Sequence, residues 1–290
     1  LLMLVPGNPG LTEYYISYLD FIAAKYPQFE IICPSHAGFH TARPLSAPRD
    51  KPVFYSLKAQ INHKLEILDS MHPGTEPRDL YILGHSVGAY MVQKIVHSLG
   101  RSAERPWSVK FVGLITPTII DIAKSTNGTF ASKVFKFLRK ICIDPAKLLA
   151  FLARVVDMLL PVWLIKFILV RRMKLLSHQD ATQSLEATCN IISSPSIVFQ
   201  AVSLAQEEMA RIKHDTKFQE EFFASHTKNG KIWAYFAKND GWVSDKTREL
   251  ILDKYSCRDN VVMVVDAGGP NGIEHSFCIK QSDSFARITI

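Results

Sequence analysis

Apolar positions follow two rhythms along this chain. Short, nearly continuous apolar runs at residues 1–5, 29–33, 80–83, 110–116, 231–237 and 261–265 have the length of strands buried on both faces. After the run at 80–83, Ala89, Val92, Val96 and Leu99 recur at helical spacing and form one apolar stripe. Strands separated by helical stretches predict an α/β fold, a mostly parallel sheet with helices on both faces. More than a hundred residues then separate the run ending at Pro117 from the one beginning at Lys231, and they carry helical patterns without a strand. The expected division is a core of residues 1–117 and 216–290, with an inserted helical cap at 118–215.

The strand-to-helix junction reads Gly84-His85-Ser86-Val87-Gly88. A serine in so sharp a turn projects its hydroxyl from the sheet edge, at the positive end of the following helix. The glycines permit the turn, because a side chain at Gly84 or Gly88 would collide with neighbouring backbone. The competing reading is an ordinary strand–turn–helix with an idle serine.

A reactive serine needs a base to take its proton and a third group to orient that base. Asp240 lies just past the run at 231–237. His275 follows the run at 261–265 and a glycine-rich stretch at 267–272. Asp245 and Asp266 are rival acids, and Asp266 sits at the strand end itself. His97, His178, His214 and His226 occupy helical or charged stretches with no strand before them. Charge that builds on an attacked carbonyl oxygen needs donors. The expected pair is the backbone N–H of Val87 and that of Asn8, in the loop Pro6-Gly7-Asn8-Pro9-Gly10; a plain Pro/Gly turn is the alternative for this loop.

Three segments carry a family resemblance: Val5-Pro6-Gly7-Asn8-Pro9-Gly10 followed by Tyr14 and Tyr15; Ser35-His36-Ala37-Gly38; and Gly84-His85-Ser86-Val87-Gly88-Ala89-Tyr90. Together they resemble the lipid droplet-associated hydrolases, from residue 1 to about residue 280 and most faintly between about 118 and 215. The resemblance implies an α/β-hydrolase fold with Ser86 as nucleophile, Asp240 as acid and His275 as base. It implies residence on lipid droplets and the endoplasmic reticulum and hydrolysis of ester substrates such as sterol esters; the expected substrates are neutral lipid esters of sterol ester or acylglycerol type, met on the cytosolic face. It also implies an antiparallel hairpin ahead of the strand at 1–5, so further strands are expected before residue 1. This chemistry needs no metal or organic cofactor. Two alternatives remain: a droplet-binding scaffold with little catalysis, and a thioesterase or acyltransferase using the same three residues.

Charge sharpens the picture of the cap. From Lys124 to Lys174 eleven Lys and Arg face two acids, a net of +9, which leaves −2 for the rest of a chain whose net charge is +7. These cations are interleaved with long apolar runs rather than with polar or stacking surfaces, so a lipid surface fits better than nucleic acid. The apolar runs at 148–160 and 162–170 meet at Pro161 and are flanked by Lys133, Lys136, Arg139 and Lys140 on one side and Arg171, Arg172 and Lys174 on the other. A single span is disfavoured, since Arg154, Asp157 and Lys166 would each cost about 3 kcal/mol near a bilayer centre. Two short helices bent at Pro161 can instead lie in one leaflet, with their cations reaching the phosphates. The partner surface is thus expected at about residues 133–174. The alternative is a soluble cap whose apolar helices line an acyl pocket.

Smaller features add little. Cys33, Cys142, Cys189, Cys257 and Cys278 are odd in number and contain no Cys-x-x-Cys, which favours a reducing compartment over a disulfide framework or a zinc site. His36 and His40 follow the run at 29–33, where a plain loop position competes with the pocket mouth. The charged stretch 203–223, with Glu207, Glu208, Arg211, Lys213 and Lys217, reads as the solvated end of the cap.

Overall fold

Six strands, β1 (Leu2–Val5), β2 (Ile31–Ile32), β3 (Arg78–His85), β4 (Trp107–Ile115), β5 (Lys231–Phe236) and β6 (Val261–Val265), form one sheet in the order β2-β1-β3-β4-β5-β6. All neighbouring pairs are parallel. This is the computed structural model of the chain, and it describes residues 1–39, 53–72, 74–101, 105–173, 181–225, 230–270 and 272–290. His40, Lys174, His178 and His226 lie outside the described residues.

Helices cover both faces of the sheet. In the core these are α1 (Ile16–Lys25), α2 (Leu57–Met71) and α3 (Val87–Gly100). Between β4 and β5 come α4 (Thr126–Lys140), α5 (Pro145–Leu159), α6 (Val162–Met173), α7 (Ala181–Ile192), α8 (Pro195–Arg211) and α9 (Thr216–Ser225). After β5 follow α10 (Asp245–Tyr255), α11 (Phe277–Lys280) and α12 (Ser282–Thr289). The continuous apolar runs of β1 and the second half of β3 follow from this layering, which buries them from both sides, whereas the run at 261–265 departs from expectation, since β6 leaves Val262 and Val264 exposed on one face. The helical stripe Ala89, Val92, Val96 and Leu99 is likewise buried against the sheet.

The run at 29–33 yields less strand than its composition suggests. Only Ile31 and Ile32 pair, at the sheet edge. Pro34 follows closely and has no N–H to extend a ladder.

The helical insertion has an inner and an outer layer. Helix α5 starts cleanly, with Pro145 in its first turn and Asp144 Oδ1 accepting the Ala146 N–H at 2.9 Å. It ends before Pro161, where the axis turns by 119° into α6. Ala146 and Ala153 are the buried side of α5, while α6 packs Ile165 and Leu169 around Cys189 of α7. Helix α8 runs inward. Gln200, Leu204 and Glu208 are buried along it, so the α8 part of the stretch at 203–223 is not a solvated end, whereas Arg211 at its last position and Lys213 and Lys217 beyond it are exposed. Two of the charged residues misled because neighbouring elements cover them: Glu207 Oε2 accepts the Leu57 N–H of α2 at 2.7 Å, and Glu208 faces the loop after β1.

Among the described residues no single helix is long and apolar enough to cross a membrane, but α5 and α6 reach that length and composition as a bent pair.

Candidate active site

Ser86 joins β3 to α3 with φ 54° and ψ −122°, a positive φ that costs a non-glycine residue about 1–3 kcal/mol. Surrounding contacts hold it there. The Ser86 N–H donates to Ile115 O at 3.0 Å, and backbone closes in at both glycines. A Cβ on Gly84 would lie 2.5 Å from Gly88 O, and one on Gly88 would lie 2.2 Å from Val5 O. The β1 loop therefore rests directly on the start of α3.

Ser86, His275 and Asp240 meet at this turn. His275 Nε2 lies 2.9 Å from Ser86 Oγ, and His275 Nδ1 lies 2.8 Å from Asp240 Oδ2. Asp240 Oδ1 accepts the N–H groups of Trp242 at 2.7 Å and Val243 at 3.1 Å, which orients the carboxylate. The Asp240 side chain is 1% exposed and that of His275 13%. With Nδ1–H donating to Asp240, Nε2 is left as the acceptor for the serine hydroxyl proton.

The rivals are engaged elsewhere. Asp266 accepts from Tyr235 Oη at 2.5 Å and from the Gly268 N–H at 2.7 Å. Asp245 pairs with Arg248 at 2.7 Å on the surface. His97 lies near Glu221, and His214 bonds Thr216. His36 is wholly buried, with its ring packed beneath Gly10, and does not line the cavity at Ser86.

Among the described residues, neither the Asn8 nor the Val87 backbone N–H has a protein acceptor. Val87 follows Ser86 directly. Asn8 borders the same cavity, and its neighbour Gly7 is so close that a Cβ there would come within 3.1 Å of Ser86 Cβ. Two unspent donors beside a hydroxyl poised on an imidazole can stabilise negative charge on an attacked carbonyl.

Sequence reasoning missed two parts of this site. The first is a polar relay behind His275. The Gly7 N–H donates to Tyr15 Oη at 2.8 Å, Tyr15 Oη lies 2.7 Å from His85 Nδ1, and His85 Nε2 lies 2.8 Å from the His275 carbonyl oxygen. The donors fix its direction: the tyrosine proton goes to Nδ1 and the imidazole proton to the carbonyl. Burial, and next the nearby His275, push the His85 pKa down to about 3, so the ring stays neutral. The second is Glu208, whose Oε1 accepts from Asn8 Nδ2 at 2.9 Å. Burial raises its pKa to about 8, partly offset by that hydrogen bond. Tyr15 and His85 lie inside recognisable motifs, but nothing in the sequence ties one to the other; Glu208 carries no local signal at all.

The cavity at Ser86 measures about 180 Å³ and is bordered by Tyr14, Tyr15, Glu208, Met209, Trp242 and His275 among others. Pockets for drug-sized ligands span roughly 300–1,000 Å³.

Comparison with known proteins places the fold and the family. The fold is similar to a thermophilic esterase of Thermogutta terrifontis, with TM-score 0.57 at 14% identity over 99% of this chain and 87% of the other. It is also similar to a haloalkane dehalogenase of Bradyrhizobium elkani, with TM-score 0.60 at 12% identity over 99% and 87%. These likenesses show an α/β-hydrolase fold, which hosts several chemistries. A mouse protein named lipid droplet-associated hydrolase is 28% identical over 300 residues, covering 99% of this chain and 82% of that one. The family model for lipid-droplet associated hydrolases matches residues 1–278, nearly the whole chain, and the protein therefore belongs to that family.

Proposed function

We propose that the protein is a serine carboxylic ester hydrolase that acts on neutral lipid esters, of sterol ester or acylglycerol type, at the cytosolic surface of lipid droplets and the endoplasmic reticulum. The observation that carries this reading is the unbroken series Ser86 Oγ, His275 and Asp240, with links of 2.9 and 2.8 Å.

The chemistry follows from the hydrogen bonds. His275 Nε2 takes the Ser86 proton as Oγ attacks the ester carbonyl carbon. Asp240 stabilises the resulting imidazolium, and the N–H groups of Asn8 and Val87 hold the oxyanion. As the tetrahedral intermediate collapses, the C–O bond breaks and His275 protonates the departing alcohol. Water then enters, gives its proton to His275 and releases the acid from the acyl-enzyme.

The outer layer of the cap supports the lipid surface. Phe130 is 71% exposed, Met158 75% and Trp163 69%, on three successive helices. Leu159, Val162 and Phe167 extend the apolar surface around the bend. Lys133, Lys136, Arg139, Lys140, Arg171 and Arg172 accompany it. Burying each large apolar side chain in lipid is worth about 1.5–3 kcal/mol, and the cations add attraction to anionic headgroups. The relative from mouse is named for droplets, in keeping with this surface.

A cavity of about 180 Å³ takes the ester group and a short chain, not a sterol with a long acyl chain. On our reading the outer cap helices shift when they enter lipid and admit the larger substrate. The same three residues would also serve a thioesterase or acyltransferase, so products decide. The test is hydrolysis of sterol, glyceryl, thiol and short-chain esters, presented on detergent-free droplets, by wild type and Ser86→Ala. Release of free acid from droplet-borne oxygen esters by wild type alone supports the reading. Transfer to alcohol acceptors, or no turnover beyond Ser86→Ala, contradicts it.

A further inference from the structure

Helix α8 belongs to the cap by sequence position, yet it is bound to the core. Gln200 makes two hydrogen bonds to the backbone of Tyr55, each 2.8 Å, and Glu207 accepts the Leu57 N–H. Further ties run to the β1 loop. Asn8 Nδ2 donates to Ala201 O and to Glu208 Oε1, both at 2.9 Å. Because Ala201 O can only accept, the amide orientation of Asn8 is fixed, and both of its N–H bonds are spent on α8. Thus the residue read as an oxyanion donor has its side chain clamped by the cap.

We propose that Glu208 is a positioning residue, which holds the loop at Asn8 in its oxyanion-binding form and makes α8 a fixed wall of the site rather than part of a moving lid. The inference rests on the reading of Asn8 as an oxyanion donor. Its physical basis is leverage: donors must sit within a few tenths of an ångström of the developing oxyanion, and a displacement of about 1 Å costs about 100-fold in rate. Glu208 is 4% exposed, and its Oε2 has no hydrogen-bond partner among the described residues, so Asn8 is what the carboxyl grips. The neutral acid favoured by burial keeps its carbonyl oxygen toward Asn8 Nδ2 and needs no counter-charge.

The experiment is a double-mutant cycle on a soluble short-chain ester, with Ser86 labelling by a fluorophosphonate as the control for the underlying chemistry. Glu208→Ala lowers kcat by about 10- to 100-fold and leaves KM within about twofold. Glu208→Gln keeps an oxygen for Asn8 Nδ2 and retains kcat within about threefold. In an Asn8→Ala background, which keeps the backbone donor but lacks the amide, Glu208→Ala adds less than about twofold. The proposal is overturned if Glu208→Gln is as impaired as Glu208→Ala, or if Glu208→Ala costs its full factor without the Asn8 amide. The second outcome would mean direct action on substrate. If wild-type Ser86 takes no label, the esterase reading fails, and the cycle is then read by thermal unfolding: non-additive losses keep the Asn8–Glu208 clamp, additive ones remove it.

Discussion

Tyr15 and His85, far apart in the chain, share a buried hydrogen bond of 2.7 Å that links the two loops flanking the serine. Tyr15 Oη accepts from Gly7 on one loop, and His85 continues to the carbonyl of His275 on the other. Thr116 Oγ1 donates to the same carbonyl at 3.3 Å. The base is thus fixed at both ends, by Asp240 through its ring and by His85 through its backbone.

This relay makes Tyr15→Phe informative. The substitution leaves the Gly7 N–H and His85 Nδ1 without a partner in a buried site. Each unsatisfied group costs about 1–3 kcal/mol. We expect stability to fall by at least the lower figure in urea unfolding, together with a drop in kcat on soluble esters. A variant that matches wild type in both would show that the relay does not position the loops.

Glu208 gives a pH dependence with a definite sign. Its pKa is raised from 4.5 to about 8 in the folded chain. Between these values the folded state keeps a proton that the unfolded state has released, so stability falls as pH rises through the window. Glu208→Gln cannot titrate. The stability of this variant relative to wild type should therefore increase from pH 5 to pH 8, by about 3 kcal/mol. A constant difference across that range would mean that Glu208 ionises normally.

The outer cap can be tested through its own tryptophan. Trp163 is exposed at the start of α6, next to the bend. On addition of vesicles with anionic headgroups and brominated acyl chains, the fluorescence of Trp163 should be quenched. Trp163→Gln should weaken partition by about tenfold while leaving thermal unfolding unchanged. Quenching that is absent at low salt, or partition unaffected by the substitution, would remove this face from lipid binding.

Burial pattern and turn chemistry made much of the core legible. Six apolar runs mark the six strands, and the positions of Ser86, Asp240 and His275 each follow a strand's carboxyl end, where an open parallel sheet presents its loops. Pro161 announced the break between α5 and α6 because proline cannot continue a helix. Edge pairing at Ile31–Ile32 was overestimated, since apolar content does not reveal how many residues find a partner strand. The inward face of α8 was hidden for a different reason. Glu208 is buried by contact with Asn8, 200 positions away, and a charged residue in a helical stretch carries no mark of such a partner. His85 was hidden in the same way: its motif position is evident, but its links to Tyr15 and His275 arise only when three loops converge.

The central claim is that Ser86 is a nucleophile activated by His275 and Asp240, and the most direct measurement is covalent labelling. Folded wild-type protein incubated with a fluorophosphonate should gain one phosphonyl group, located on the peptide containing Ser86 by mass spectrometry. Ser86→Ala should gain none, and His275→Ala should react slower by a factor of about 1,000 or more. Absence of the adduct from well-folded wild type, or equal labelling of Ser86→Ala, would contradict the account.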